Sequence, residues 1–241
     1  MIEQQLVVAV IGWPKTDYRL AYLFKTLDSI RQCVTFDQTL DQRIIVSCES
    51  AEVTKAFRRT TMIECHQRGV GVYWREEDFP GLGANSNNAL RVAKVLGATH
   101  ILLSQDDWMF QTPVPVTEDM RFLDERTDYA LIRYATFYTK FAGMIDGTHG
   151  SRRLMDVLIP GPYAYGDQPH LRRATFDREF GWYYEHAPEA GEDYAKPEQK
   201  LADTLTEGKW KIAAYEPNVV EHCGTLSTSL ERQGQAPSPS P

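Results

Sequence analysis

The stretch THILLSQDDWMF, residues 99–110, decides how this chain is read. Its apolar run stops at Gln105, Asp106 and Asp107, so a strand suited to burial on both faces ends in two adjacent carboxylates. Like charges side by side at the lip of a core repel unless a positive group sits between or in front of them. The stretch therefore predicts a cation at the end of a buried strand. Continued extended geometry would send Gln105 and Asp107 to one face and Asp106 to the other.

Outward from this stretch the chain alternates strand and helix patterns. LVVAVIGW (6–13) is a continuous apolar run closed by Gly12 and Pro14, the pattern of a doubly buried strand followed by a turn. DYRLAYLFKTLDSIRQC (17–33) spaces Leu20, Leu23, Phe24, Leu27 and Ile30 at helical intervals, with Asp17 as the expected N-cap. Strand and helix recur in QRIIVSCES (42–50) and AEVTKAFRRTTMIECHQR (51–68). A third strand, GVGVYWRE (69–76), is followed by a loop, EDFPGLGANS (77–86), and a helix, NNALRVAKVLGA (87–98).

Such alternation predicts an α/β fold with a mostly parallel central sheet flanked by helices. Ligands of these sheets bind outside the carboxyl ends of the strands. Those ends here are GWPKT, SCES, WREED and SQDDW, which gather carboxylates and hydroxyls on one rim. Beyond residue 111 the pattern loosens. TPVPVTEDMRFLDE is partly helical and DYALIRYATFY strand-like, while LIPGPYAYGDQPHLRRATF is broken by Pro and Gly. GEDYAKPEQKLADTLTEG reads as a helix with acidic residues at its head, followed by the strand WKIAAYEP.

With 241 residues the chain suffices for one large domain, and 42% hydrophobic with 24% charged residues is ordinary for a folded protein. A net charge of −7 argues against duplex nucleic acid as a partner, because counterion release needs a basic surface. Cys33, Cys48, Cys65 and Cys223 have no zinc-site spacing and suit reduced thiols in a cytoplasmic setting. The apolar run near the N-terminus is too short for a signal-peptide core or a membrane span. QGQAPSPSP, residues 233–241, reads as a disordered tail.

Taken in order, VVAVIGWPKTDYRLAYLFKTLDSIRQ, IIVSCES and GLGANSNNALRVAKVLGATHILLSQDDW resemble the nucleotide-binding half of GT-A glycosyltransferases, family 2 in particular. GEDYAKPEQKLADTL is similar to the ED motif of that family's inverting members, and VVEHCGTLST to a late His-containing segment. The resemblance implies a single GT-A domain. Residues 1–110 would form its nucleotide-sugar-binding half and residues 111–232 its acceptor-binding and catalytic half. It further implies an inverting transferase that uses a UDP-, GDP- or TDP-sugar with Mn²⁺ or Mg²⁺. Where the family shows Asp-x-Asp, this chain has Gln105-Asp106-Asp107, and an amide brings no charge to a cation.

From the resemblance, Asp107 and His222 are the expected metal ligands and Asp193 the general base, with its neighbour Glu192 as fallback. Pro14, Glu49 and Ser50 lie where base and ribose are held, and Asp106 and Gln105 stand beside them on the donor side. Glu49 would accept from a pyrimidine N–H; the competing reading is a solvated loop carboxylate. Trp182, Tyr183 and Tyr184 precede the ED segment and are candidates for stacking on an acceptor sugar. Asn85 and Asn88 are expected to hold backbone geometry. Arg152, Arg153, Arg172 and Arg173 either reach an anion or form a solvated face. Two rivals remain: a nucleotidyltransferase, which would call for a Gly-rich, Lys- or Arg-bearing loop after the first strand, and a catalytically silent nucleotide- or sugar-binding protein.

Overall fold

The computed structural model describes residues 4–35, 41–76, 81–135, 148–149, 152–157, 168–183, 185, 199–208 and 210–223. Its first half alternates strand and helix: β1 (Gln5–Gly12), α1 (Asp17–Cys33), β2 (Val34–Thr35), β3 (Asp41–Glu49), α2 (Lys55–Gln67), β4 (Gly71–Arg75), α3 (Leu82–Val95) and β5 (His100–Gln105). There follow β6 (Trp108–Phe110), β7 (Val114–Pro115), α4 (Val116–Glu125), β8 (Tyr129–Arg133), β9 (Thr148–His149), β10 (Arg152–Val157) and β11 (His170–Arg173). The remaining elements are α5 (Phe176–Phe180), α6 (Gln199–Glu207), β12 (Lys211–Tyr215) and β13 (Val220–His222).

One mostly parallel sheet, ordered β4-β3-β1-β5-β11-β8-β12-β10-β9, forms the centre of a single domain; only β11 and β10 run against the other strands. Along β1, Leu6, Val8 and Val10 face the core under α1 and α4, while Val7, Ala9 and Ile11 face the core under α3, α5 and α6. Both sets are buried, which is why the sequence shows an unbroken apolar run instead of alternation. Parallel register aligns the strand ends: Gly12 lies beside Cys48, Ile11 beside Gln105, and Glu49 beside Arg75. The predicted rim is thereby built.

Local details differ from expectation. Thr16, not Asp17, caps α1, its hydroxyl accepting from the Arg19 amide at 3.4 Å. A Thr one residue earlier in extended backbone can reach that amide, whereas Asp17 is already in the helix. Helix α3 starts at Leu82, so LGANS is helical and its Asn side chains turn inward. Residues 170–173 form an antiparallel strand wedged between β5 and β8, and Arg172 is only 1% exposed there. Its guanidinium lies over the rings of Phe176 at 4.6 Å and Tyr183 at 5.7 Å. Arg173 donates to the Leu123 and Tyr129 carbonyls, both at 2.6 Å, beside the start of β5 and away from the carboxyl rim. Arg172 is thus buried under aromatic rings and Arg173 holds backbone carbonyls, so neither forms a solvated face. The backbone of Arg152 and Arg153 belongs to β10, and their side chains lie outside the description.

Of the long acidic-headed helix, Gln199–Glu207 is described, and the expected tail at 233–241 lies outside the described residues. All four cysteines are free thiols. No described helix is long and apolar enough to cross a membrane.

Candidate functional site

The rim is organised by the turn that follows β5. The strand ends at Gln105, and the Asp106 amide still bonds the Ile11 carbonyl at 2.9 Å, so both carboxylates sit in the turn and not on opposite faces of a continuing strand. That overturns the expected alternation: Arg19 Nη1 meets Asp106 Oδ1 and Asp107 Oδ2, each at 3.3 Å. The predicted cation is therefore supplied by the first turn of α1. Asp106 is fixed further by the Trp13 amide, which donates to Oδ2 at 3.1 Å, and by Thr26, whose hydroxyl donates to its carbonyl at 3.0 Å. Burial and then the Asp107 charge push the Asp106 carboxyl up to about 7, against the pull of Arg19 and the Trp13 amide.

Asp107 is joined to the late histidine by strand pairing. Antiparallel β13 and β6 place His222 opposite Trp108, and the Cys223 amide donates to the Asp107 carbonyl at 2.8 Å. The His222 ring stacks on Trp108 with centroids 4.6 Å apart, leaving Nε2 3.3 Å from Asp107 Oδ2. Two cis ligands of an octahedral Mg²⁺ at about 2.1 Å stand about 3 Å apart, so this pair fits one edge of such a shell. Asp107 Oδ1 is buried with no hydrogen-bond partner among the described residues, a second open acceptor at the same place. Among the described residues no group of three or more His, Cys, Asp or Glu side chains could hold an ion. A cation here would thus complete its shell with ligand oxygens and water. Gln105 is half-buried at the end of β5, and the Ser104 hydroxyl donates to its carbonyl at 3.2 Å.

At the other side of the rim, Glu49 Oε2 accepts from Arg75 Nη1 at 2.8 Å and from the Gly81 amide at 3.3 Å. Glu49 and Arg75 are 3% and 7% exposed, so Glu49 is no solvated loop carboxylate. Its Oε1 is buried without a hydrogen-bond partner among the described residues. Ser50 is buried beside it, its amide bonded to the Arg75 carbonyl at 3.3 Å. The loop carrying Pro14, itself buried, is tied to the loop after β3. Trp13 Nε1 donates to the Ala51 carbonyl at 2.7 Å, and Lys15 Nζ lies 3.7 Å over the Trp13 ring and 3.1 Å from Glu52.

Asparagines of α3 brace this end of the sheet. Asn85 Nδ2 donates to the Gly12 and Ser47 carbonyls at 3.2 Å, Ser47 returns its hydroxyl to Asn85 Oδ1 at 2.6 Å, and Asn88 donates to the Ser47 hydroxyl at 2.9 Å. Asn87 holds the Tyr183 backbone at both its amide (3.0 Å) and its carbonyl (2.9 Å). Tyr183 is buried, and Trp182 is half-buried with Lys94 Nζ 4.8 Å and the Arg91 guanidinium 5.3 Å from its ring. Both aromatics are thus engaged with α3. Tyr184, Glu192 and Asp193 lie outside the described residues.

Arg19 and Arg75 escaped the sequence reading. Arg19 carried a signal, since the third residue of a helix that follows β1 must lie near the rim; Arg75, the last residue of β4, carried the same one.

No family model and no curated protein matches the chain. Solved structures do. S. aureus TarS residues 1–349 in complex with UDP-GlcNAc superposes with a TM-score of 0.57 at 14% identity, covering 92% of this chain and 61% of that one. A longer TarS structure gives 0.56 at 13% identity, over 90% of this chain and 36% of that one. The chain is a GT-A-type fold. It spans 36% to 61% of the TarS chains it matches. The 4-diphosphocytidyl-2C-methyl-D-erythritol synthase of Anaerococcus prevotii shares the sheet architecture at a TM-score of 0.53 and 11% identity, over 96% of this chain and 98% of that one.

Proposed function

We propose that this protein is an inverting glycosyltransferase that moves a sugar from a nucleotide-diphospho-sugar to an acceptor hydroxyl. The observation that carries this reading is the buried carboxylate pair at the carboxyl end of β5, with Asp107 3.3 Å from His222 and one Asp107 oxygen unpartnered among the described residues. Asp107 and His222 would hold Mn²⁺ or Mg²⁺, which when bound stabilises charge on the departing diphosphate. On the other side of the rim, Glu49, held by Arg75, presents its second oxygen as an acceptor suited to a pyrimidine N–H. Pro14 and Ser50 line the space between, and Asp106 and Gln105 flank the sugar side.

Asp193 takes the proton of the acceptor hydroxyl as it attacks the anomeric carbon, with Glu192 beside it. Trp182, Tyr183 and Tyr184 lead the chain to that base and border the acceptor. The match with S. aureus TarS in complex with UDP-GlcNAc supports a UDP-sugar as the first donor to try, with GDP- and TDP-sugars beside it. Purified protein is assayed with each donor for nucleoside diphosphate release, with and without Mn²⁺, next to Asp193→Asn. Turnover lost in the variant is expected; equal turnover removes Asp193 as the base.

The erythritol synthase match, which spans nearly all of both chains, keeps a nucleotidyltransferase as the second reading. Against it stands the loop after β1, whose one lysine is engaged by Glu52 and Trp13. Pyrophosphate release from a nucleoside triphosphate would favour that reading. Nucleotide binding without turnover of any donor would favour a silent binding protein.

A further inference from the structure

We infer that Arg19 is a protein-borne cation of the donor site, binding the diphosphate of a nucleoside diphosphate and doing so without a divalent metal. This rests on the donor-site reading above. A diphosphate entering the rim meets Asp106 and Asp107, two carboxylates that are 4% and 5% exposed and would repel it. The guanidinium that lies on both of them at 3.3 Å is the group that reverses this local charge.

Its geometry leaves donors to spare. Both carboxylate contacts are made through Nη1, while Nε and Nη2 make no protein hydrogen bond among the described residues. The Arg19 side chain remains 17% exposed, so it is not sealed from solvent at the rim. A guanidinium fork matches two phosphate oxygens in one plane, which a lysine ammonium does not. Nearby Lys15 is held by Glu52 and stacked over Trp13, leaving Arg19 as the better-placed cation. Its backbone is fixed by the Thr16 cap at the head of α1, so the side chain is anchored at both ends, by the helix and by the aspartates. The neighbouring Gln105 is an uncharged amide, so a single guanidinium faces two carboxylates at this turn.

The test is calorimetric titration with UDP, GDP and TDP in EDTA, each beside its parent nucleoside. Wild type is compared with Arg19→Lys, Asp106→Asn and the double variant Arg19→Met/Asp106→Asn, in which loss of the cation is matched by loss of one carboxylate so that the fold is retained. Wild type is expected to bind at least one diphosphate in EDTA more tightly than its nucleoside. The double variant should lose at least about tenfold of that preference relative to Asp106→Asn alone, at the nucleoside affinity of Asp106→Asn, with Arg19→Lys between them. Equal preference in the double variant and Asp106→Asn overturns the inference. Diphosphate binding by wild type only when Mn²⁺ is added also overturns it and leaves the donor-site reading intact. Failure of every nucleotide to bind, with or without Mn²⁺, overturns both.

Discussion

Replacing Arg75 by Met removes the counterion of a carboxylate that has no access to water. Glu49 and Arg75 lie 2.8 Å apart with side chains 4% and 7% exposed, so neither charge is hydrated when its partner is lost. Breaking such a pair from one side costs about 3–5 kcal/mol, because a lone buried charge remains. Neutralising both partners, as Glu49→Gln/Arg75→Met, should recover most of that loss. Lys15–Glu52 supplies the internal control: at 3.1 Å it is nearly as short, but Glu52 is 65% exposed, and such pairs contribute about 0–1 kcal/mol. Urea unfolding of wild type, Arg75→Met, the double variant and Lys15→Met, analysed at constant slope, measures all four. A loss in Arg75→Met no greater than that in Lys15→Met would refute the reasoning, as would a double variant no more stable than the single.

Acid stability offers a second test. Burial and then the neighbouring Arg172 charge hold the His170 imidazole down to about 3, so as pH falls below about 6.5 the unfolded chain takes the proton first and stability is lost until about pH 3. Over two pH units within that window the loss is about 2.7 kcal/mol, and His170→Gln should flatten it in urea titrations at stepped pH. Asp106 acts in the opposite sense: its folded form binds the proton first between about 7 and 3.8, so acidification through that range stabilises, and Asp106→Asn should make the acid loss steeper. Asn85→Ala removes the side-chain bonds to the Gly12 and Ser47 carbonyls and to the Ser47 hydroxyl in the core and should lower stability by about 1–3 kcal/mol, read as a shift of the urea midpoint.

The parts of the fold that were legible in sequence are those fixed by local pattern. Six apolar residues in a row before Gly12 mean a strand covered on both sides, and the helical spacing of Leu20, Leu23, Leu27 and Ile30 gives the buried stripe of α1. What escaped depends on distant pairing. HLRR has no strand periodicity; it becomes β11 because β5 and β8 flank it and because two aromatic rings cover Arg172. The site divides in the same way. Asp106, Asp107 and His222 were singled out from residue type and position, but their convergence depends on the β6–β13 pairing and on a helix that brings Arg19 back across 87 residues. Alternation failed at Asp106 because the strand stops one residue earlier, where the chain turns to form β6.

The most direct test of the account is a crystal structure of the protein soaked with a UDP-sugar and Mn²⁺. The account predicts the ion within ligand distance of Asp107 and His222, the diphosphate against Arg19 and the base edge at Glu49 and Arg75. A nucleotide seated at the opposite end of the sheet, in the groove lined by Arg31, Arg43 and Tyr73, with the aspartate turn unaltered, would contradict it.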